Sequence, residues 1–272
     1  GREDWDKGGK YMTRKIACVI FDWAGTTVDF GSLAPVDVFL RLFADEGIPV
    51  FREEARLPMG LPKKDHLREI LRQRRVSRFW RTRFGTAWTE ADVERLYTAF
   101  EPALLSILRN HADPIEGVRE AVLNLRGRGI RIGSTTGYTR RMMEVLAPLA
   151  AERGYSPDAL VTPDDVSLGR PAPFMCYRNA IELGVYPMSD MVKVGDTIAD
   201  ISEGKNAGMI SVGVVIGSNE MGLSREEADA FSSASFSERV ERVRRRFFEA
   251  GADYVIGSMA ELPGLIDRIE GE

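Results

Sequence analysis

One stretch constrains this chain more than any other: Ile16-Ala17-Cys18-Val19-Ile20-Phe21-Asp22-Trp23-Ala24-Gly25-Thr26-Thr27-Val28-Asp29. A continuous apolar run stops at a carboxylate, and a turn rich in glycine and threonine follows. An apolar run this short, bounded this way, reads as a parallel strand buried on both faces. Ligands of open α/β sheets gather beyond the carboxyl ends of such strands. Asp22 is therefore placed where chemistry would occur, although a strand-end Asp can also do no more than cap the next turn.

The rest of the chain says what surrounds that strand. Gly1 to Arg14 is polar and without periodicity, so residues 1–14 are expected to be a flexible tail. From 31 to 113 the pattern is helical throughout. Pro35 suits a first helical position, and Val36, Phe39, Leu40 and Phe43 repeat at helical spacing after it, with Gly47 as a stop. Leu67, Ile70 and Leu71 mark a second helix, and Leu96, Phe100 and Leu104 a third, with Thr89 and Asp92 as a capping box. A run of arginines from Arg72 to Arg83 reads as a solvated helical face with Phe79 and Trp80 turned inward.

After Pro114, strands and helices alternate. Strands are expected at 130–135, 160–162, 191–195, 210–215 and 254–256, with a helix from Pro171 to Leu183. This predicts an α/β fold: a doubly wound, Rossmann-like parallel sheet built from 15–30 and 114–272, with an all-helical domain inserted at 31–113.

Composition narrows the function. The 272 residues carry a net charge of −4, which argues against a general nucleic-acid binder. No apolar stretch is long enough to span a membrane, and no leader pattern opens the chain. The two cysteines, Cys18 and Cys176, fall in apolar contexts and read as buried thiols of a cytoplasmic protein.

Four strand ends carry polar groups: Asp22, Thr136, the loop reaching Arg170, and Asp196 with Asp200. In a parallel sheet they share one edge and can converge. Together they read as a phosphate site with a carboxylate nucleophile, a hydroxyl donor, a cation and two further carboxylates. Clustered carboxylates repel; two charges about 4 Å apart cost roughly 4 kcal/mol at an effective dielectric near 20. A divalent cation removes that penalty, and hard oxygen ligands without a His or Cys cluster favour Mg²⁺.

These residues resemble the four motifs of the haloacid dehalogenase superfamily: FDWAGTTVD at 21–29, STTG at 134–137, GRP at 169–171 and GDTxxD at 195–200. The first motif there is usually DxD, whose second Asp protonates the leaving group. Here that position is Ala24. Met59-Gly60-Leu61-Pro62-Lys63-Lys64-Asp65-His66 further resembles the MGLxKxDH motif of the phosphonoacetaldehyde hydrolases, as does the Ala34-Pro35 pair.

The chemistry makes the departures coherent. Breaking a phosphorus–carbon bond expels a carbanion, a poor leaving group. If a lysine first forms an imine with an aldehyde β to phosphorus, the departing carbon leaves as an enamine. Such an enzyme needs a lysine and no DxD acid.

By position in the motifs, the resemblance implies Asp22, Lys63 and His66 as catalytic residues. Met59, Gly60, Thr136, Gly137 and Arg170 would bind substrate. Asp22, the carbonyl of Ala24, Asp196 and Asp200 would hold Mg²⁺. Arg170 stands where the superfamily usually has a lysine. Ser32 stands where some relatives are expected to carry a cysteine. Lys63, in the first turn of a helix, would feel the positive end of its dipole, which together with shielding from water would lower its pKa, with His66 on the same face. Lys64 reads as a surface residue and His111 as structural.

The resemblance further implies a small-molecule phosphonate substrate, a role in phosphonate catabolism, and a homodimer formed through the helical cap. Two other readings stand beside it. One is a phosphatase or dehalogenase of the same superfamily, against which Ala24 and the Lys63 motif argue. The other is a non-catalytic phosphate-binding module, which the intact set of polar strand ends disfavours.

Overall fold

In a computed structural model, residues 15–271 are described, so the expected tail at 1–14 lies outside them. The first strand, β1 (Cys18–Phe21), is buried at every position, because helices cover both faces of the sheet. A helical insertion follows, made of α1 (Leu33–Asp45), α2 (Arg52–Arg56), α3 (Lys63–Arg72), α4 (Arg74–Phe84) and α5 (Glu90–Ile107). Then come α6 (Val118–Gly127), β2 (Arg131–Thr135), α7 (Arg140–Glu152), β3 (Ala159–Val161), α8 (Phe174–Leu183) and β4 (Met191–Gly195). The chain closes with α9 (Ile198–Ala207), β5 (Ile210–Val214), α10 (Arg225–Ala230), α11 (Ser233–Glu249), β6 (Tyr254–Ile256) and α12 (Leu262–Gly271).

The six strands are ordered β3-β2-β1-β4-β5-β6, and every pair is parallel. The chain runs outward from β1 to one edge, then returns to its other side. The strand order therefore reverses between β1 and β4, where an open sheet forms its crevice. Among the described residues no helix is long and apolar enough to cross a membrane. Cys18 and Cys176 are free and buried, and burial pushes the Cys18 thiol up to about 12.

The insertion joins the sheet through a narrow neck held by Asp29. Its Oδ1 accepts the amide of Leu33 and Oδ2 that of Ala34, both at 3.1 Å, which caps α1. The same Oδ1 lies 2.8 Å from His111 Nδ1, at the return of the chain. One carboxylate thus ties together the outgoing and incoming segments, and it holds the His111 pKa above its ordinary value. A bridge between Val28 and Pro114 closes the neck.

Inside the insertion, the ring of Phe39 stacks on Phe100 at 4.4 Å and on His66 at 4.1 Å. Leu67, Ile70, Leu71, Val76, Trp80, Leu96 and Leu104 are buried around them. Each such apolar side chain removed from water contributes about 1.5–3 kcal/mol. Thr89 and Asp92 form the expected capping box of α5.

Three local expectations are corrected. Phe79 does not turn inward with Trp80: it is 42% exposed, whereas Trp80 is 1% exposed. The period of α4 carries Val76 and Trp80 to the core and leaves Phe79 outside, where the guanidinium of Arg75 lies 5.3 Å from its ring. Helix α8 begins at Phe174, not Pro171, because Pro171 and Pro173 disfavour helix at the residues before them. Pro35 occupies the third helical position of α1, where its missing N–H is still without cost.

Candidate active site

The sheet register builds the site. Phe21 pairs with Ser134 on one side and Val194 on the other, so Asp22, Thr135 and Gly195 lie level at the carboxyl edge. The backbone N–H of Asp22 donates to Val194 at 3.0 Å, which fixes Asp22 at the crevice. Asp196 follows β4 directly. Asp200 sits in the first turn of α9, where its Oδ2 accepts Thr197 Oγ1 at 2.6 Å.

Asp22, Asp196 and Asp200 each offer one carboxylate oxygen within 4.8 Å of the others, and all three are buried. Burial, then the charge of Asp200, pushes the Asp22 carboxyl up. Burial together with Asp22 and Asp200 pushes Asp196 up further. Asp200 behaves oppositely. Burial raises it, but Arg170 and Lys193 beside it more than reverse this and hold it below the ordinary carboxylate range.

Arg170 is the hub. Its Nη2 lies 2.7 Å from Asp22 Oδ1 and donates to Thr135 Oγ1 at 2.8 Å. Its Nη1 lies 3.1 Å from Asp200 Oδ1, and Nε lies 2.9 Å from Glu203 Oε2. Nη1 also reaches the carbonyl of Gly60 at 3.4 Å, so the sheet's cation touches the insertion. Lys193, on β4, sits 2.7 Å from Asp200 Oδ1.

Counted as ionised, the buried cluster sets Asp22, Asp196, Asp200 and Glu203 against Arg170 and Lys193. The excess is two negative charges. A divalent cation with an affinity for oxygen matches both that excess and the donor set. It would also relieve the repulsion that raises Asp196. Asp200, already held by Arg170, Lys193 and Thr197, is suited to orient from behind, and Asp22 and Asp196 to ligate directly.

The insertion supplies the opposite wall. Pro62 precedes α3 with extended backbone, and Lys63 is its first residue. Lys63 is 4% exposed, and its Nζ lies 4.9 Å from the centroid of the Tyr138 ring. Burial lowers its pKa to about 7; Arg170 adds to this, while Asp22 and Asp196 oppose it. Desolvation, not the helix dipole, is the first cause.

Asp22, Lys63, Met59, Gly60, Thr136, Gly137, Arg170 and Ala24 all border one cavity of about 20 Å³, barely the space of a water molecule. Ser32 and Tyr138 border it as well. The insertion lies pressed onto the sheet. Gly60 has φ of +91°, and a Cβ there would come within 2.4 Å of Thr197 Oγ1. A Cβ on Gly137 would lie 2.6 Å from the carbonyl of Leu61. These two glycines permit the close approach.

His66 does not border the cavity. It is fully buried one helical turn beyond Lys63, with Nε2 2.7 Å from the carbonyl of Ala55. A carbonyl only accepts, so Nε2 carries the proton and Nδ1 is left as a bare acceptor; Nδ1 is buried without a hydrogen-bond partner among the described residues. Burial, with the charge of Lys63, holds the imidazole pKa well below its ordinary value, so it is neutral near pH 7. Lys64 points outward and pairs with Glu94 at 2.7 Å.

Sequence reasoning missed Thr135, Lys193 and Glu203, which complete the charge network, and Asn219, whose N–H holds Asp196 Oδ2 at 2.8 Å. Lys193 did carry a signal, since a lysine inside an apolar strand needs a buried partner. Asn219 carried none.

The chain matches the family model described as haloacid dehalogenase-like hydrolase over residues 16–208. It is 54% identical over 256 residues to a phosphonoacetaldehyde hydrolase of Bacillus thuringiensis, covering 94% of this chain and 97% of that protein. The corresponding protein of Bacillus cytotoxicus is 55% identical over the same shares. A crystal structure of a phosphonoacetaldehyde hydrolase-like protein from Oleispira antarctica superposes with a TM-score of 0.93 at 40% identity, covering 98% of this chain and 97% of that one. At this identity and coverage, the chain belongs to the haloacid dehalogenase-like hydrolases and, within them, to the phosphonoacetaldehyde hydrolase family.

Proposed function

We propose that this protein hydrolyses phosphonoacetaldehyde to acetaldehyde and phosphate through an imine on Lys63 and a phosphoryl group on Asp22. The observation that carries the reading is a buried lysine with a pKa near 7 facing a buried aspartate across one small cavity, with Ala24 where a general acid would stand.

The neutral amine of Lys63 attacks the aldehyde carbon, and loss of water gives the imine. His66, buried behind the cavity with a neutral ring, acts on this step by positioning Lys63 on the same helix, and solvent carries the protons. The carboxylate of Asp22 then attacks phosphorus. As the phosphorus–carbon bond breaks, its electron pair moves into the imine, protonated at nitrogen by solvent, and forms a neutral enamine. Protonation at carbon and hydrolysis free acetaldehyde and Lys63, and water cleaves the phosphoryl group from Asp22. No oxygen leaving group arises, so the missing acid at Ala24 costs nothing.

Arg170 neutralises phosphoryl and nucleophile charge, and Thr136 with the Gly137 amide holds phosphoryl oxygens. Met59 packs beside the imine, and Gly60 lets the insertion approach. Mg²⁺, held by Asp22, Asp196 and the Ala24 carbonyl with Asp200 behind, would stabilise negative charge on the phosphoryl oxygens. Residues 31–113 act as a cap. The roughly 20 Å³ cavity means that the cap must open to admit substrate and exclude water again on closing. We also assign the protein to the cytoplasm, in keeping with its two free buried thiols. Exposed Phe79 and Phe84 on the cap support a homodimer through this domain, which sedimentation equilibrium reads directly.

The direct test is phosphate release from phosphonoacetaldehyde. It should vanish on chelation and return with Mg²⁺; metal-independent release would remove the cation from the scheme.

The pH profile gives a second test. Lys63 reacts only as the neutral amine. With a pKa near 7 against an ordinary 10.5, kcat/KM should rise as pH passes through about 7 and then level off. A bound cation screens Asp22 and Asp196, whose charges hold that pKa up, so the limb should move to lower pH with metal. A limb near pH 10 would contradict the buried amine.

A further inference from the structure

A second basic pocket lies at the seam between cap and core, apart from the catalytic cavity. It encloses about 310 Å³ and is walled by Arg52 and Arg56 of the cap, Asn219 of the loop after β5, and Arg239, Arg242 and Arg246 of α11. Glu53 and Glu220 are its acidic members, so positive charge exceeds negative by three. Glu220 is already engaged, 2.7 Å from Arg246 Nη1.

Arg56 is the feature that points to a ligand. It is only 8% exposed, yet its Nε and Nη2 are buried without any hydrogen-bond partner among the described residues. Its remaining nitrogen, Nη1, donates to the carbonyl of Gly31 at 2.7 Å and to Asn219 Oδ1 at 3.1 Å. Guanidinium N–H groups out of water need an acceptor, and two adjacent ones form a fork that fits a tetrahedral oxyanion. Gly222 lets the loop after β5 approach Arg56 closely, since a Cβ there would lie 3.3 Å from Arg56 Nε. On the rim, Arg242 is exposed and pairs with no carboxylate among the described residues.

We propose that this pocket binds a small phosphate-type oxyanion, which joins cap to core and favours the closed form. The anion would bridge arginines of both bodies. It would also bear on the active site through Asn219, whose side chain holds Arg56 and whose N–H holds Asp196. This site stands independently of the reaction proposed above. Inorganic phosphate and an alkylphosphonate share the required chemistry.

The test is isothermal titration of the full chain with inorganic phosphate, and separately with methylphosphonate, for the parent and for Arg52→Gln/Arg242→Gln. Neither residue borders the catalytic cavity, so any binding there is common to both proteins. The parent should show two classes of site, and the double variant should weaken one of them at least about tenfold, the effect of losing one charge-assisted hydrogen bond. Whichever anion fills the second class is the assigned ligand. Hydrogen exchange at the amides of Gly31 and Asn219 should slow with the anion in the parent only. A single class in the parent, or identical isotherms in both proteins, overturns the site; binding without slowed exchange overturns the clamp.

Discussion

Replacing Lys63 by Arg or Ala should reduce phosphate release from phosphonoacetaldehyde by about four orders of magnitude or more. The guanidinium of Arg keeps a positive charge but stays protonated and forms no imine. The Ala variant leaves the carbanion without an electron sink. Borohydride added with substrate should trap an adduct on the parent protein, seen as a mass increase at Lys63, and none on either variant. Burial is what makes the amine reactive: Lys63 is 4% exposed, and desolvation brings its pKa to about 7. If either variant kept activity within about tenfold of the parent, the imine would fall. The phosphatase or dehalogenase reading would then replace it.

Asp22→Asn should lose turnover by a comparable factor, about 10⁴-fold or more, for a different reason. An amide is a poor nucleophile toward phosphorus, while its shape keeps the contact with Arg170 Nη2 that Asp22 Oδ1 makes at 2.7 Å. The two substitutions separate the two half-reactions. Asp22→Asn should still give the borohydride adduct at Lys63, because imine formation precedes attack on phosphorus. Loss of trapping in this variant would show that Asp22 is needed to bind or orient the aldehyde. Asn also removes one of the buried negative charges, which should ease the burden on Asp196, whose carboxyl is raised in part by Asp22.

Much of this arrangement was legible in the chain itself. The apolar run ending at Asp22 is a strand because nothing in it wants water, and it is parallel and central because both faces must be covered. The alternation after Pro114 set the sheet, and the unbroken helical pattern before it set the insertion. Where periodicity was local and strong, as at the Thr89–Asp92 box, the reading held to the residue. It slipped where neighbours a turn apart competed for one face, as at Phe79 and Trp80, and where prolines delayed the start of α8.

The chain's order of residues determined which groups reach the carboxyl edge, since a parallel sheet delivers every strand end to the same side. It did not determine what those groups would meet there. That Asp22, Arg170, Asp200 and Glu203 share one buried network, with Lys193 beneath it, follows from the register of β1 against β2 and β4 and from contacts between side chains 7 to 148 residues apart in the chain. Helical phase placed His66 on the Lys63 side of α3, but only packing against Phe39 and Ala55 put it behind the cavity, not in it. The same is true of Lys63 itself. A motif can name the lysine, whereas its lowered pKa exists only because the insertion folds back and shuts water out. Desolvation belongs to a closed three-dimensional surface, and no local run of residues encodes it.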